Sequence, residues 1–251
     1  MDKAPAQYEK EAYVEGLFSS IAGRYDLMNS VLSLTRHRAW RRFAASKAGL
    51  SAGDSALDVC CGTGDFALEL ARIVGEGGRV VGTDFSQPMI ELARAKAGRR
   101  RMQGISFIAA NTCELPFSDG SFDCVTVGFG VRNLADLDAG LAEMVRVLRP
   151  GGKLVCLETG EVRSSLVRPL WRLFFHTLTP YLAVLMGARK TAYQYLPRSA
   201  QGFLSREELA GRFEKHGLMD VTVSDLMFGA VCVHVGTKAI GSAQYSILNT
   251  Q

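Results

Sequence analysis

The chain has 251 residues, of which 47% are hydrophobic and 22% are charged. This length and composition predict one globular domain with short additions, and they exclude a disordered or fibrous chain. The 29 basic residues barely outnumber the 25 acidic ones, which gives a net charge of +4. So small an excess excludes a broad nucleic-acid-binding surface but is compatible with contact to an anionic membrane surface.

The first fifty residues have helical patterns and contain no strand signal. Apolar side chains recur at helix spacing around Leu17 and Ile21, and a second helix is predicted from Thr35 to Lys47. We interpret residues 1–50 as an N-terminal helical lid. Within it, Tyr25 and Asn29 are predicted to cover a ligand, the alternative being core packing with a helix cap.

From residue 55 onward, short apolar runs alternate with segments of helix length. The predicted strands are 56–61, 79–84, 105–109, 122–127 and 153–158, and the predicted helices are 65–74, 87–98 and 137–148. A helix over 206–216 and two strands, 219–226 and 230–235, follow. Alternation of this kind predicts parallel β-α-β units. We therefore expect an α/β domain over 51–238, with a seven-stranded, mostly parallel sheet, one antiparallel strand and helices on both faces.

Two further segments are set apart in this division of the chain. Residues 163–204 are predicted to form an insertion on the substrate side, and residues 239–251 a tail. The uncharged stretch Leu173–Ala188 lies between basic residues and is too short to span a bilayer. It is predicted to line a substrate entrance or touch the membrane surface, the alternative being a core helix. His176 within it is either a general base or a packed histidine.

Cysteine and histidine usage bears on location and metal binding. The six cysteines contain no C-x-x-C pair and fall mostly in apolar runs, which predicts buried free thiols in a reducing cytoplasm. The first five residues contain no apolar signal core, which agrees with a cytoplasmic location. The four histidines have no metal-ligand spacing, so no metal is predicted.

The segment Leu57–Asp65 carries the strongest chemical signal. Gly62 and Gly64 follow the first predicted strand and permit a sharp turn close to a ligand. Asp84 ends the second predicted strand, where an acid can accept hydrogen bonds from both ribose hydroxyls of a nucleoside. These features predict a nucleoside-containing ligand at the carboxyl edge of the sheet.

Two kinds of cofactor fit this turn. Gly62, Gly64 and Ala67 also match the fingerprint of dinucleotide-binding folds. Two acids favour a different cofactor: Asp58 lies inside the first predicted strand, and Asp65 directly follows Gly64. An acid at a helix start, such as Asp65, repels pyrophosphate but favours a ligand with an ammonium and a sulfonium. S-adenosylmethionine is such a ligand. A nicotinamide-dependent oxidoreductase remains an alternative.

Several segments resemble one family over residues 10–238. Leu57–Asp65 resembles motif I of class I methyltransferases, which have a Rossmann-like fold. Phe18–Asn29, Asn111–Asp119, Phe129–Asn133 and Glu143–Gly152 resemble segments of the menaquinone and ubiquinone C-methyltransferases. The resemblance implies S-adenosylmethionine-dependent methylation of a ring carbon on demethylmenaquinol, or on a polyprenyl benzoquinol. Methylation of another small molecule on the same fold is a further alternative.

The motif and the resemblance together predict the residues of the methyl-donor site. They are Tyr25, Asp58, Gly62, Thr63, Gly64, Asp84, Asn111, Thr112 and Gly128. Gly128 stands where the family often has serine, and Thr112 where it often has alanine. Pro197 and Arg198 stand where Ala-Glu is usual. These departures leave open a nucleotide-binding regulatory protein that has lost catalysis.

Carbon methylation also needs an activated acceptor. A quinol ring becomes nucleophilic when a hydroxyl with a pKa near ~10 ionises, and a fixed cation beside the oxygen stabilises that state. Arg132 and Asn133 are predicted to hold the quinol oxygen, the alternative for Arg132 being an ion pair with Asp136. The expected partners are a prenylated quinol and the membrane surface, without nucleic acid, and a homodimer is left open.

Overall fold

Seven strands form one sheet in the computed structural model, which describes residues 5–174 and 202–240. They are β1 (Ser55–Val59), β2 (Arg79–Asp84), β3 (Ile105–Ala109), β4 (Phe122–Gly128), β5 (Leu148–Thr159), β6 (Leu218–Leu226) and β7 (Val231–Lys238). Their order is β3-β2-β1-β4-β5-β7-β6, and β7 alone runs antiparallel to its two neighbours. The predicted sheet of seven strands with one antiparallel strand is confirmed.

Eight α-helices, numbered along the described part of the chain, accompany the sheet. They are α1 (Pro5–Ile21), α2 (Tyr25–Leu32), α3 (His37–Ser46), α4 (Asp65–Val74), α5 (Gln87–Arg99), α6 (Leu137–Val147), α7 (Arg168–Arg172) and α8 (Arg206–Lys215). Local signals fix several starts. The side chain of Asp136 accepts a hydrogen bond from the amide of Ala139 at the start of α6, and Ser205 and Glu208 form a capping box on α8.

The helices cover both faces of the sheet. Side chains of α3, α4 and α5 bury one face, with Ala44, Leu68 and Ile90 fully enclosed. Side chains of α6 and α8, including Leu141 and Phe213, bury the other face. Each large buried apolar side chain stabilises the fold by roughly 1.5–3 kcal/mol. The two layers hold the carboxyl ends of the parallel strands in fixed positions.

Three predicted strand boundaries are wrong. Strand β1 ends at Val59 instead of residue 61, since Cys60 has a positive φ of 51°. Strand β5 begins at Leu148 instead of Lys153, because Leu148 already pairs with Phe122 before a register shift. Strand β7 continues to Lys238 instead of residue 235. The other strands and helices of the sheet domain start and end within one residue of their predicted bounds.

Some predictions concern residues outside 5–174 and 202–240. They include most of the stretch 173–188 with His176, the segment holding Pro197 and Arg198, and most of the 239–251 tail. Within the described ranges, none of the helices combines the length and apolar character that crossing a bilayer demands.

Candidate methyl-donor site

One cavity opens at the carboxyl edge of the sheet. It lies where β1, β2 and β4 end, and α1 and α2 close one side. Its lining consists of Val14, Glu15, Phe18, Tyr25, Cys60, Gly62, Asp84, Phe85, Met89, Asn111, Thr112, Gly128, Phe129, Gly130, Asn133, Leu134 and Ala135. Its position matches that of ligand sites in open α/β sheets.

A tight turn joins β1 to α4 on the floor of this cavity. Gly62 and Gly64 both have positive φ angles, 53° and 80°, which side chains rarely tolerate. A Cβ atom built on Gly64 would lie 2.8 Å from the ring of Phe107, so this position also has no room for a side chain. The turn therefore brings main chain, rather than side chains, against the cavity at Gly62.

Asp84 is the fixed acceptor of the site. Its Oδ2 accepts from the amide of Gly62 and its Oδ1 from the amide of Ser86, each at 2.9 Å. Burial raises the pKa of Asp84 above its usual value, although the two amides act in the opposite direction. A carboxylate has about four acceptor sites, so each oxygen keeps capacity for one further donor from the cavity. This geometry suits a pair of adjacent hydroxyls.

A second group of lining residues is apolar. It combines Phe129 and Leu134, which follow β4, with Val14 and Phe18 of α1. Phe129 has a positive φ of 57°, a strained conformation of the kind that costs roughly 1–3 kcal/mol and concentrates at functional sites. Its ring meets that of Trp40 edge-on, with centroids 6.3 Å apart. A flat apolar ring can lie against these side chains.

Polar side chains also line the cavity. Asn111 accepts from the amide of Cys113 at 2.9 Å through its Oδ1, and the side-chain amide of Asn133 donates to the carbonyl of Phe129 at 3.3 Å. Tyr25 hydrogen-bonds Asn29, and burial raises the pKa of its phenol above the ordinary value, so the hydroxyl stays neutral. The lining thus includes neutral donors and acceptors as well as the acid Asp84.

The structure places six of the nine residues predicted for the donor site on this lining: Tyr25, Gly62, Asp84, Asn111, Thr112 and Gly128. The other three, Asp58, Thr63 and Gly64, lie behind it. Asp58 is fully buried, where its Oδ1 accepts from the hydroxyl of Thr126 at 2.7 Å and its Oδ2 from the amide of Ala67 at 3.0 Å. Asp58 therefore joins β1 to β4 and to α4.

Thr63 and Asp65 face a lysine. The ammonium of Lys96 lies 2.9 Å from the Thr63 hydroxyl and 2.7 Å from the Asp65 carboxylate, and Arg41 approaches Asp65 at 3.4 Å. Burial acts to raise the pKa of Asp65, but Arg41 and Lys96 outweigh it and lower that pKa. The charge of Asp65, predicted from the sequence to pair with a cationic ligand, is thus neutralised by the protein.

Arg132 and Asn133 occupy one 3-10 turn but differ in surroundings. Asn133 lines the cavity, whereas Arg132 lies behind it in an ion pair with Glu158, whose side chain is fully buried. Asp136, the alternative partner predicted from the sequence, instead caps α6. The structure therefore gives Arg132 a buried carboxylate rather than a place on the cavity wall.

Sequence reasoning missed several lining residues. Phe85 directly follows Asp84 at the end of β2, and Cys60 lies just before the glycine turn. Both could have been predicted from their positions next to predicted site residues. Val14, Glu15 and Met89 had no such signal. They reach the cavity only because α1 and α5 pack beside the turn.

Solved structures with this architecture include several methyltransferases. A SAM-dependent methyltransferase from Aquifex aeolicus superposes with a TM-score of 0.61 at 18% identity, covering 86% of this chain and 98% of that chain. One from Thermotoga maritima has a TM-score of 0.61 at 22% identity, covering 89% and 98%. These similarities show that the fold is the Rossmann-like methyltransferase fold.

Sequence comparison is more specific. The demethylmenaquinone methyltransferase of Bacillus cereus is 41% identical over 232 residues, which are 92% of this chain and 98% of the relative. That of Shouchella clausii is 40% identical over 231 residues, again 92% and 98%. The sequence profile of the ubiE/COQ5 methyltransferase family matches residues 6–238. The chain therefore belongs to the ubiE/COQ5 methyltransferase family.

Proposed function

We propose that this SAM-dependent methyltransferase methylates a ring carbon of a prenylated quinol, namely demethylmenaquinol. The observation that carries the proposal is a cavity whose lining combines two unlike groups of residues. One group, here called the donor wall, contains Asp84 and Gly62 of the glycine turn, which suit a nucleoside. The other, here called the quinol wall, contains Phe129, Leu134 and Phe18, which suit a flat apolar ring. The substrate is inferred from the relatives in Bacillus cereus and Shouchella clausii, both named demethylmenaquinone methyltransferase.

The donor wall fits S-adenosylmethionine. Asp84 is held by two amides and retains acceptor capacity for both ribose hydroxyls. Asn111 and Thr112 also line the cavity. Glu15 and Asp84 are the carboxylates on the lining, so the field inside the cavity favours a cationic ligand.

The quinol wall positions the acceptor. When bound, S-adenosylmethionine supplies a methyl group already activated on a sulfonium, so the protein mainly has to align the ring carbon with it. Phe129, Leu134 and Phe18 provide apolar surface for the ring. The amide of Asn133 provides a polar contact for a quinol oxygen, and Arg132 supports that turn from behind through Glu158. In this proposal Asn133 touches substrate and Arg132 positions it.

We also infer that the protein contacts the membrane surface, where a prenylated substrate resides. Leu166, Leu170 and Leu173 are 85%, 69% and 61% exposed around α7, beside the exposed basic residues Arg163 and Arg168. Apolar and basic side chains together bind anionic bilayers. The protein should therefore sediment with vesicles containing anionic lipid, and Leu166→Ser with Leu170→Ser should weaken this. Absence of wild-type binding would remove the inference.

The function is tested by transfer of a radiolabelled methyl group to short-chain demethylmenaquinol. The wild type should methylate it, whereas Asp84→Asn should weaken donor binding by about 10- to 150-fold, the value of a hydrogen bond to a charged group. Asn133→Ala should lower kcat and retain the donor Kd. Asp220→Asn, at an exposed site far along the chain on β6, serves as control. Donor binding without transfer, or transfer only to a benzoquinol, would refute the demethylmenaquinol assignment.

A further inference from the structure

Lys96 of α5 is a buried cation whose partners come from different elements. It is 7% exposed, and its ammonium contacts the Thr63 hydroxyl at 2.9 Å and the carboxylates of Asp65 and Asp26, each at 2.7 Å. These contacts employ all three N–H groups of the ammonium. A buried lysine so completely satisfied has a defined position, and its partners are held with it.

The partners belong to two parts of the molecule. Thr63 lies on the turn of residues 60–64 between β1 and α4, here called the donor turn, and Asp65 begins α4, whereas Asp26 lies on α2 in the N-terminal segment. Asp26 uses both oxygens, because its Oδ1 also accepts from the Thr63 hydroxyl at 2.5 Å. Its side chain remains 47% exposed, so it is the partner most easily released. Lys96 and Thr63 thus tie α2 to the donor turn.

The neighbour of Asp26 lies at the cavity. Tyr25 lines it, and the ring of Tyr25 is 3.7 Å from the place a Cβ on Gly62 would occupy. Tyr25 also packs edge-on against Phe18, with centroids 6.1 Å apart. Fixing Asp26 therefore fixes two aromatic side chains over the donor end of the cavity.

We propose that Lys96 is a positioning residue for the methyl donor, which it does not touch. Through Asp26 and Thr63 it holds α1 and α2 closed as a lid over the donor turn. Helix α3 is excluded from the moving part, because its Ala44 and Ala45 are buried in the core against α4. The inference rests on the proposed function to the extent that the ligand under the lid is S-adenosylmethionine.

The surrounding charges explain why the tie depends on Lys96. Asp26 and Asp65 both face the ammonium, while Arg41 reaches Asp65 from α3. Without the ammonium, Asp65 keeps Arg41 as its partner, but Asp26 faces another carboxylate and is repelled. Loss of Lys96 should therefore release α2 and leave α4 in place.

The experiment measures S-adenosylhomocysteine binding and amide hydrogen exchange over residues 14–32. Asp26→Asn, at a half-exposed position, should raise the Kd by about tenfold, mainly through a faster off-rate, and accelerate exchange in that segment. Asp26→Glu, which keeps the charge, should recover part of the affinity, and Lys96→Met should match or exceed Asp26→Asn. The control is Glu69→Gln, which breaks a pair with Arg72 lying within α4 alone and should change neither quantity.

The outcomes separate the two proposals. If the wild type binds S-adenosylhomocysteine and Asp26→Asn binds it equally well with unchanged exchange, the lid role of Lys96 is refuted while the proposed function stands. If Asp26→Glu is as impaired as Asp26→Asn, the carboxylate's charge is not what holds α2, and the inference also fails. If the wild type itself does not bind the ligand, the proposed function falls, and this inference with it.

Discussion

We expect Asp58→Asn to change the free energy of unfolding by an amount that depends on pH. Burial raises the pKa of Asp58 to about 7 from a usual value of 3.8, although bonds from Thr126 and Ala67 oppose the rise. The folded state therefore holds this proton more firmly than the unfolded chain does. The stabilisation is complete below about pH 4 and is lost as the pH rises to about 7, a change of up to about 4 kcal/mol. The amide of the variant has no such proton to lose, so the variant gains relative to wild type over this interval.

The assay is urea denaturation of both proteins from about pH 4 to pH 8, with Asp220→Asn as an exposed control. The free energy of unfolding of Asp58→Asn minus that of wild type should increase across the interval, and that of the control should not. Because Asp58 lies behind the cavity lining, the variant should also retain its Kd for S-adenosylhomocysteine. A difference independent of pH would refute the buried, protonated carboxyl. Lost affinity at full stability would instead restore Asp58 as a direct donor contact.

Two further substitutions test the packing around the site. Gly64→Ala should lower the free energy of unfolding by about 2–3 kcal/mol, because φ is 80° and the new Cβ meets Phe107, whereas Gly98→Ala, with nothing within 4 Å, should stabilise by about 1 kcal/mol at most. If urea denaturation gave the same change in the free energy of unfolding for both variants, this prediction would be contradicted. Glu158→Gln should lower the free energy of unfolding by about 3–5 kcal/mol, because the buried charge of Arg132 then has no counter-charge, and the double change of Arg132→Met with Glu158→Leu should recover most of that loss. If Glu158→Gln alone were as stable as the wild type, the buried ion pair would be contradicted.

Local signals predicted much of the fold. The bounds of α4 and β2 agree with the sequence prediction, since a glycine turn precedes one and an acid at the sheet edge ends the other. The start of β5 was not predicted correctly, because Pro150 and Gly152 indicate the end of a helix. Neither residue indicates that Leu148 pairs with Phe122. Pairing between strands depends on the neighbouring strand, which periodicity along one segment does not contain.

The candidate site divides in the same way. Gly62 and Asp84 could be predicted because the chain order of a β-α-β unit places both at one edge of the sheet. The partners of Asp65 and Arg132 could not, since Lys96 is 31 residues from the first and Glu158 is 26 residues from the second, on other elements. Single charged residues were thus recognisable from the sequence, but their ion-pair partners on distant elements were not.

The position of β7 has a consequence for synthesis of the chain. Strand β7 comes last among the described strands yet lies inside the sheet, between β5 and β6. There the thiol of Cys232 donates a hydrogen bond to the main-chain carbonyl of Glu158, 74 residues earlier. Until Val231–Lys238 has been synthesised, the edge of β5 that pairs with β7 is unpaired. At about 5–20 residues per second, several seconds pass between the synthesis of β5 and that of β7. The unpaired N–H and C=O groups of an exposed strand edge can pair with strands of other chains, which leads to aggregation. A product released before Val231 should therefore aggregate rather than form a smaller enzyme, and the nascent protein needs protection of β5 until its final strand arrives.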